Sequence, residues 1–103
     1  MINSNEVGRA IGALAEIGAD YSAHRNRAVS ELLKEFRAKA NRELATFAGY
    51  QLGGDGERRL QKTRQVLFDI YRAAADAAAE FNDSSLRDVS DIASEGLVEE
   101  ELT

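Results

Sequence analysis

The chain has no proline, no cysteine and no tryptophan, and it carries one methionine and one histidine. Without cysteine there is neither a disulfide framework nor a thiolate metal site. With His24 as the lone histidine, the Glu-x-x-His pairs that build carboxylate-bridged di-iron bundles cannot be assembled. No stretch approaches the ~20 apolar residues that span a bilayer. The N-terminal run Met1-Ile2-Asn3-Ser4-Asn5-Glu6 lacks the basic and apolar regions of a secretory signal. These absences lead to the expectation of a soluble cytoplasmic protein with no membrane contact. The calcium-loop and phosphate-loop patterns are also missing, since Lys62 lies too far beyond the glycines to serve the latter.

What is present reads as helix. Of the 103 residues, 44% are hydrophobic and 30% charged, a composition that folds rather than stays disordered. Much of the apolar share is alanine, which buries little area, so self-association or a partner is expected to complete the core. The glycine-rich break Gly53-Gly54-Asp55-Gly56 separates two long helical stretches of nearly equal length, which predicts an antiparallel hairpin. In the second leg Leu60, Thr63, Leu67, Ile70, Ala74, Ala77 and Phe81 alternate spacings of three and four, the seam of a left-handed helix pair. With the turn centred on Gly53-Gly54, facing residues have numbers adding to about 107. Phe47 then meets Leu60, Ala40 meets Leu67, and Leu33 meets Ala74, with large residues opposite small ones.

The first leg is longer and less settled. From Val7 through Ile11, Leu14, Ile17, Val29, Leu33, Phe36, Ala40 and Phe47 the apolar stripe keeps phase with one straight helix, about 70 Å long at ~1.5 Å per residue. Ser22, His24, Arg25, Asn26 and Arg27 interrupt it with polar residues. The segment is therefore either one rod with a polar layer or two helices with a break. Helices are expected over about residues 5–22, 26–51, 57–82 and 84–94, with the first opened by an Asn3/Glu6 capping box and the last by Asp83 or Ser84. Residues 1–96 form a single helical domain, and 97–103 are an acidic tail. The fold class is all-α: a long antiparallel hairpin, an N-terminal helical extension and a short C-terminal helix, completed into a helical bundle by association.

Charge is polarised along the chain. Residues 1–24 sum to −2, residues 25–64 to +5 and residues 65–103 to −8, within a net charge of −5. Lys39, Arg42, Arg58, Arg59, Lys62 and Arg64 gather at the hairpin tip as a basic cluster. No aromatic residues interleave with them to stack bases, and the chain is acidic overall, which disfavours nucleic acid as the partner. The acidic set Asp69, Asp76, Glu80, Asp83, Asp88, Asp91 and Glu95 lacks metal-site spacing and reads as solvated helix faces. Gly8, Gly12, Ala15 and Ala19, with Gly18 nearby, form a stripe of small residues suited to close helix contact. Together with Leu33, Phe36, Ala74 and Ala77 they are the expected packing or oligomer interface. His24 reads as a surface residue at the break, and Tyr50 as a capping contact at the tip.

The proportions, a helix–turn–helix of about 100 residues with a central glycine turn, resemble those of the WXG100 secreted proteins. The resemblance is one of proportions: Tyr50-Gln51-Leu52-Gly53 stands where that family has Trp-x-Gly, and Tyr71 is followed by Asp76, one residue beyond the Tyr-x-x-x-Asp/Glu spacing. With no catalytic constellation, cofactor motif or metal site, the chain is not expected to be an enzyme or to take a small-molecule substrate. The expected function is a non-enzymatic protein–protein interaction module, an adaptor, chaperone-like or assembly subunit, that self-associates or binds a protein through its helical faces. The alternatives are a regulator that touches nucleic acid through the basic tip, and an acidic inhibitor that mimics nucleic acid.

Overall fold

The computed structural model describes residues 4–20, 26–51 and 56–97. Among these residues the chain is all-α, with four helices and no strand: α1 (Ser4–Asp20), α2 (Arg27–Gln51), α3 (Gly56–Phe81) and α4 (Ser84–Glu95). Asn3, His24 and Arg25, the Gly53-Gly54-Asp55 turn and residues 98–103 lie outside the described residues.

The first leg is two helices. A single rod over it would measure roughly 70 Å, whereas the longest dimension of the molecule is 43 Å. That figure suits α2 and α3, which at ~1.5 Å per residue run to about 37 and 39 Å. The break is fixed by Asn26. Its side-chain Oδ1 accepts hydrogen bonds from the backbone N–H groups of Ala28 (2.9 Å) and Val29 (3.3 Å), and its carbonyl accepts from Ser30 N at 2.9 Å. This is an N-cap that starts α2 afresh.

α1 then folds back along α2. Gly8 sits opposite Phe47, where an added Cβ would lie 3.5 Å from the ring, and Gly18 sits opposite Arg37. As residue numbers rise along α1 they fall along α2, so the pair is antiparallel. An added Cβ on Gly18 would press against the Arg37 Cβ and come within 2.9 Å of its Cγ. Gly18 is thus the point where the two backbones approach too closely for any side chain.

α3 and α4 are joined by two residues with opposite backbone habits. Asn82 ends α3 at φ 50°, the left-handed region that asparagine tolerates at a helix C-terminus. Asp83 follows in extended geometry (φ −119°, ψ 124°), and its carboxylate accepts from Ser85 N at 2.8 Å as the N-cap of α4. α4 returns antiparallel to α3 and ends at Gly96. There the φ of −79° is open to any residue, but an added Cβ would lie 2.8 Å from both Ala10 Cβ and Leu67 Cδ1. Gly96 supplies room, and it wedges the end of α4 between α1 and α3.

All four helices feed one core. Val7, Ile11 and Leu14 come from α1, Val29, Leu33 and Phe36 from α2, Leu67, Ile70 and Ala74 from α3, and Leu86, Val89 and Ala93 from α4. The most extensive packing is α1 on α2 and α4 on α3; the α2–α3 and α1–α4 seams are smaller and alike. The architecture is therefore two helical hairpins joined through both the α2–α3 and the α1–α4 pairs. The radius of gyration, 13.4 Å, is close to the ~13 Å of a compact 100-residue domain. The apolar stripes are consumed within one chain. The N-terminal helix, read from sequence as an extension of the hairpin, supplies the surface that alanine-rich α2 and α3 lack.

Candidate functional site

On α2, Lys39, Arg42, Glu43 and Thr46 recur at helical spacing and share one face; on α3, Arg59, Lys62, Val66 and Asp69 do the same. The two faces meet in a groove of about 360 Å³ along the outer side of the α2–α3 seam. Its floor is an organised polar cluster. Arg59 Nη2 lies 3.8 Å from Glu43 Oε1, and both side chains are largely covered. Thr63, fully buried, places its hydroxyl 2.9 Å from Glu43 Oε1 and 2.9 Å from the Arg59 carbonyl, so its one proton is offered to either acceptor. Thr63 is the polar member of an otherwise apolar seam, and Glu43 is its partner. That pairing lies within one residue of the register read from the glycine turn.

The rim carries the cations. Arg42 and Lys62 are exposed, and among the described residues neither side chain has an ion-pair partner. Lys39 is half-exposed and lies 3.4 Å from Glu35, one turn earlier on α2. Such an exposed i,i+4 pair holds it only weakly. Asp69, at the far end, accepts from Gln65 Nε2 at 3.1 Å. The groove thus offers Lys39, Arg42 and Lys62 to solvent above the Arg59–Glu43 pair, and none of the described residues that line it is aromatic.

Of the six basic residues expected at the tip, four line the groove. Arg58 is exposed but lies outside it, and Arg64 turns inward to only 8% exposure. Glu43, Thr46, Val66 and Asp69 were not anticipated as members. The signal was the three- and four-residue spacing from Lys39 and Arg59, which selects them as readily as the cations. Their carboxylates make the groove less phosphate-like than the tip's composition implies.

The small-residue set divides. Leu33, Phe36, Ala74 and Ala77 are buried in the core, Ala15 packs partly against it, and Gly8 meets Phe47 of the same chain. Gly12 faces open space, with nothing within 4 Å of an added Cβ. The side chain of Ala19 lies outside the described residues. The closest backbone approach falls instead at Gly18. On α3, Phe68 and Tyr71 are half-buried with ring centroids 6.2 Å apart, and the Arg72 guanidinium lies 5.9 Å from the centre of the Phe68 ring. Among the described residues no three histidine or carboxylate side chains come together as a metal site, and no helix is long and apolar enough to cross a membrane.

No family model, curated protein or solved structure matches this chain.

Proposed function

We propose that the protein is a non-enzymatic, cytoplasmic interaction module whose working surface is the α2–α3 groove, and that the groove receives an acidic protein segment. The observation that carries this reading is the pairing of a neutralised floor with a cationic rim. Arg59 and Glu43 form an ion pair below, at 3.8 Å, while Lys39, Arg42 and Lys62 are presented above. Rim charges of this kind set orientation and association rate rather than high affinity. The Asp69 carboxylate interrupts the cationic rim, which disfavours a continuous phosphate backbone more than carboxylate side chains spaced along a peptide.

Fluorescence anisotropy tests it, with a labelled peptide of alternating glutamates, its glutamine counterpart and a single-stranded oligonucleotide titrated separately. Binding of the glutamate peptide is expected, weakening from ~50 to ~500 mM salt as the screening length shortens, with none for the glutamine peptide. The triple variant K39E/R42E/K62E is expected to abolish it while leaving the helical circular dichroism intact, because its three sites project from the surface. Binding of the oligonucleotide in preference to the peptide would replace this reading with the nucleic-acid one. Binding of neither would remove the groove as a working surface.

A further inference from the structure

The chain's own sequence supplies a segment of the required chemistry, Glu99-Glu100-Glu101, two residues beyond the last described residue, Leu97. Three consecutive carboxylates match three rim cations in number. Whether a tail can reach the groove of its own molecule is decided by where α4 ends. Gly96 is lodged against Leu67 and Ala10, between α3 and α1. At ~100° per residue, Leu67 lies about 100° round α3 from Val66 in the groove, and Ile70 and Thr63 fall between them. Both of those side chains are buried in the core, at 1% and 0% exposure, so the short way round α3 is closed. The open way to Lys62, the rim cation of α3, covers about 220° of a helix ~10–12 Å across, or about 21 Å. Glu99 to Glu101 stand two to four residues beyond Leu97 and reach about 7–14 Å even when fully extended.

We infer that the α2–α3 groove of one molecule takes the Glu99-Glu100-Glu101 run of a second copy, so that molecules join head to tail. The inference rests on reading the groove as an acidic-segment site and names its occupant. The end of α4 and the groove lie on different faces, so each contact leaves one free tail and one free groove. The association is heterologous and lengthens with concentration instead of closing as a symmetric dimer.

Light scattering after gel filtration tests it on the full chain and on two variants. One, E99Q/E100Q/E101Q, keeps the groove and neutralises the tail; the other, K39E/R42E/K62E, keeps the tail and reverses the rim. The full chain is expected to rise above its monomer mass of 11.3 kDa as concentration increases at ~50 mM salt, and to return to it at ~500 mM. Each variant alone is expected to stay at monomer mass. Mixed, they form a one-to-one pair and nothing longer, because only one productive contact remains between them. A full chain that stays monomeric at every concentration, while the glutamate peptide still binds its groove, would overturn the inference and leave the proposed function standing. So would tighter peptide binding in the tail variant without self-association, which would place the tail in its own groove. An assembly of fixed mass that both variants retain would overturn it as well. Loss of peptide binding and self-association together would remove both readings.

Discussion

Glycine to alanine at two positions of α1, six residues apart, should change stability in opposite directions. In isolation each substitution favours the helix by about 1 kcal/mol, because alanine loses less backbone freedom than glycine on folding. At Gly12 nothing lies within 4 Å of the new methyl group, so that gain is expected nearly in full. At Gly18 the methyl group would meet the Arg37 Cβ and lie 2.9 Å from its Cγ, where carbon atoms need ~3.5–4.0 Å. The Arg37 side chain can swing its outer atoms away, but its Cβ moves only with the backbone of α2. α1 must therefore retreat along its whole contact, an overpacking cost of roughly 1–3 kcal/mol against the ~1 kcal/mol gained. A shift of 1 kcal/mol moves the midpoint of a domain this size by about 4–8 °C. Thermal unfolding followed by helical circular dichroism should show Gly12→Ala melting higher than the parent chain and Gly18→Ala lower. Arg37→Ala should not rescue Gly18→Ala, because it keeps the offending Cβ. If Gly18→Ala stabilises as much as Gly12→Ala, α1 is not seated on α2 at Arg37, and the folded-back arrangement is refuted.

Two further substitutions probe the other contacts. Gly96→Ala has no backbone strain to overcome, yet its methyl group would crowd Ala10 Cβ and Leu67 Cδ1, each 2.8 Å away. It is expected to cost about 1–2 kcal/mol in urea unfolding, and a neutral result would mean that the end of α4 is not wedged between α1 and α3. Thr63→Val keeps the shape of a fully buried side chain and removes the hydroxyl held 2.9 Å from Glu43. A loss of about 1–3 kcal/mol is expected, with a coupling to Glu43→Ala of at least ~0.5 kcal/mol in a double-mutant cycle; strict additivity would show that the two do not act as a unit.

The four helices, most of their apolar faces and the register near the tip are legible in the residues, because each is a local property. Period-3.6 spacing selects the buried side of α3, Asp83 is a capping residue by type, and the turn places Glu43 level with Thr63. The course of the first leg is not legible, since the stripe from Val7 to Phe47 keeps the same phase whether the chain runs on or turns back. Asn26 held the signal for the break as an N-cap, but its polar neighbours give the same composition as a polar layer inside a rod. The glycines of α1 look alike in sequence. Only the crossing with α2 makes Gly18 indispensable, sets Gly8 against Phe47 and leaves Gly12 idle. Likewise Arg59 and Arg64 stand five residues apart in one basic run, yet one floors the groove beside Glu43 and the other is turned inward. A long side chain can lie along either neighbouring surface. Local spacing determines that these residues are helical and roughly which way they face. Which neighbour each one meets is decided by how four helices share a single core, and that sharing turns a basic tip into a groove with a paired floor and a cationic rim.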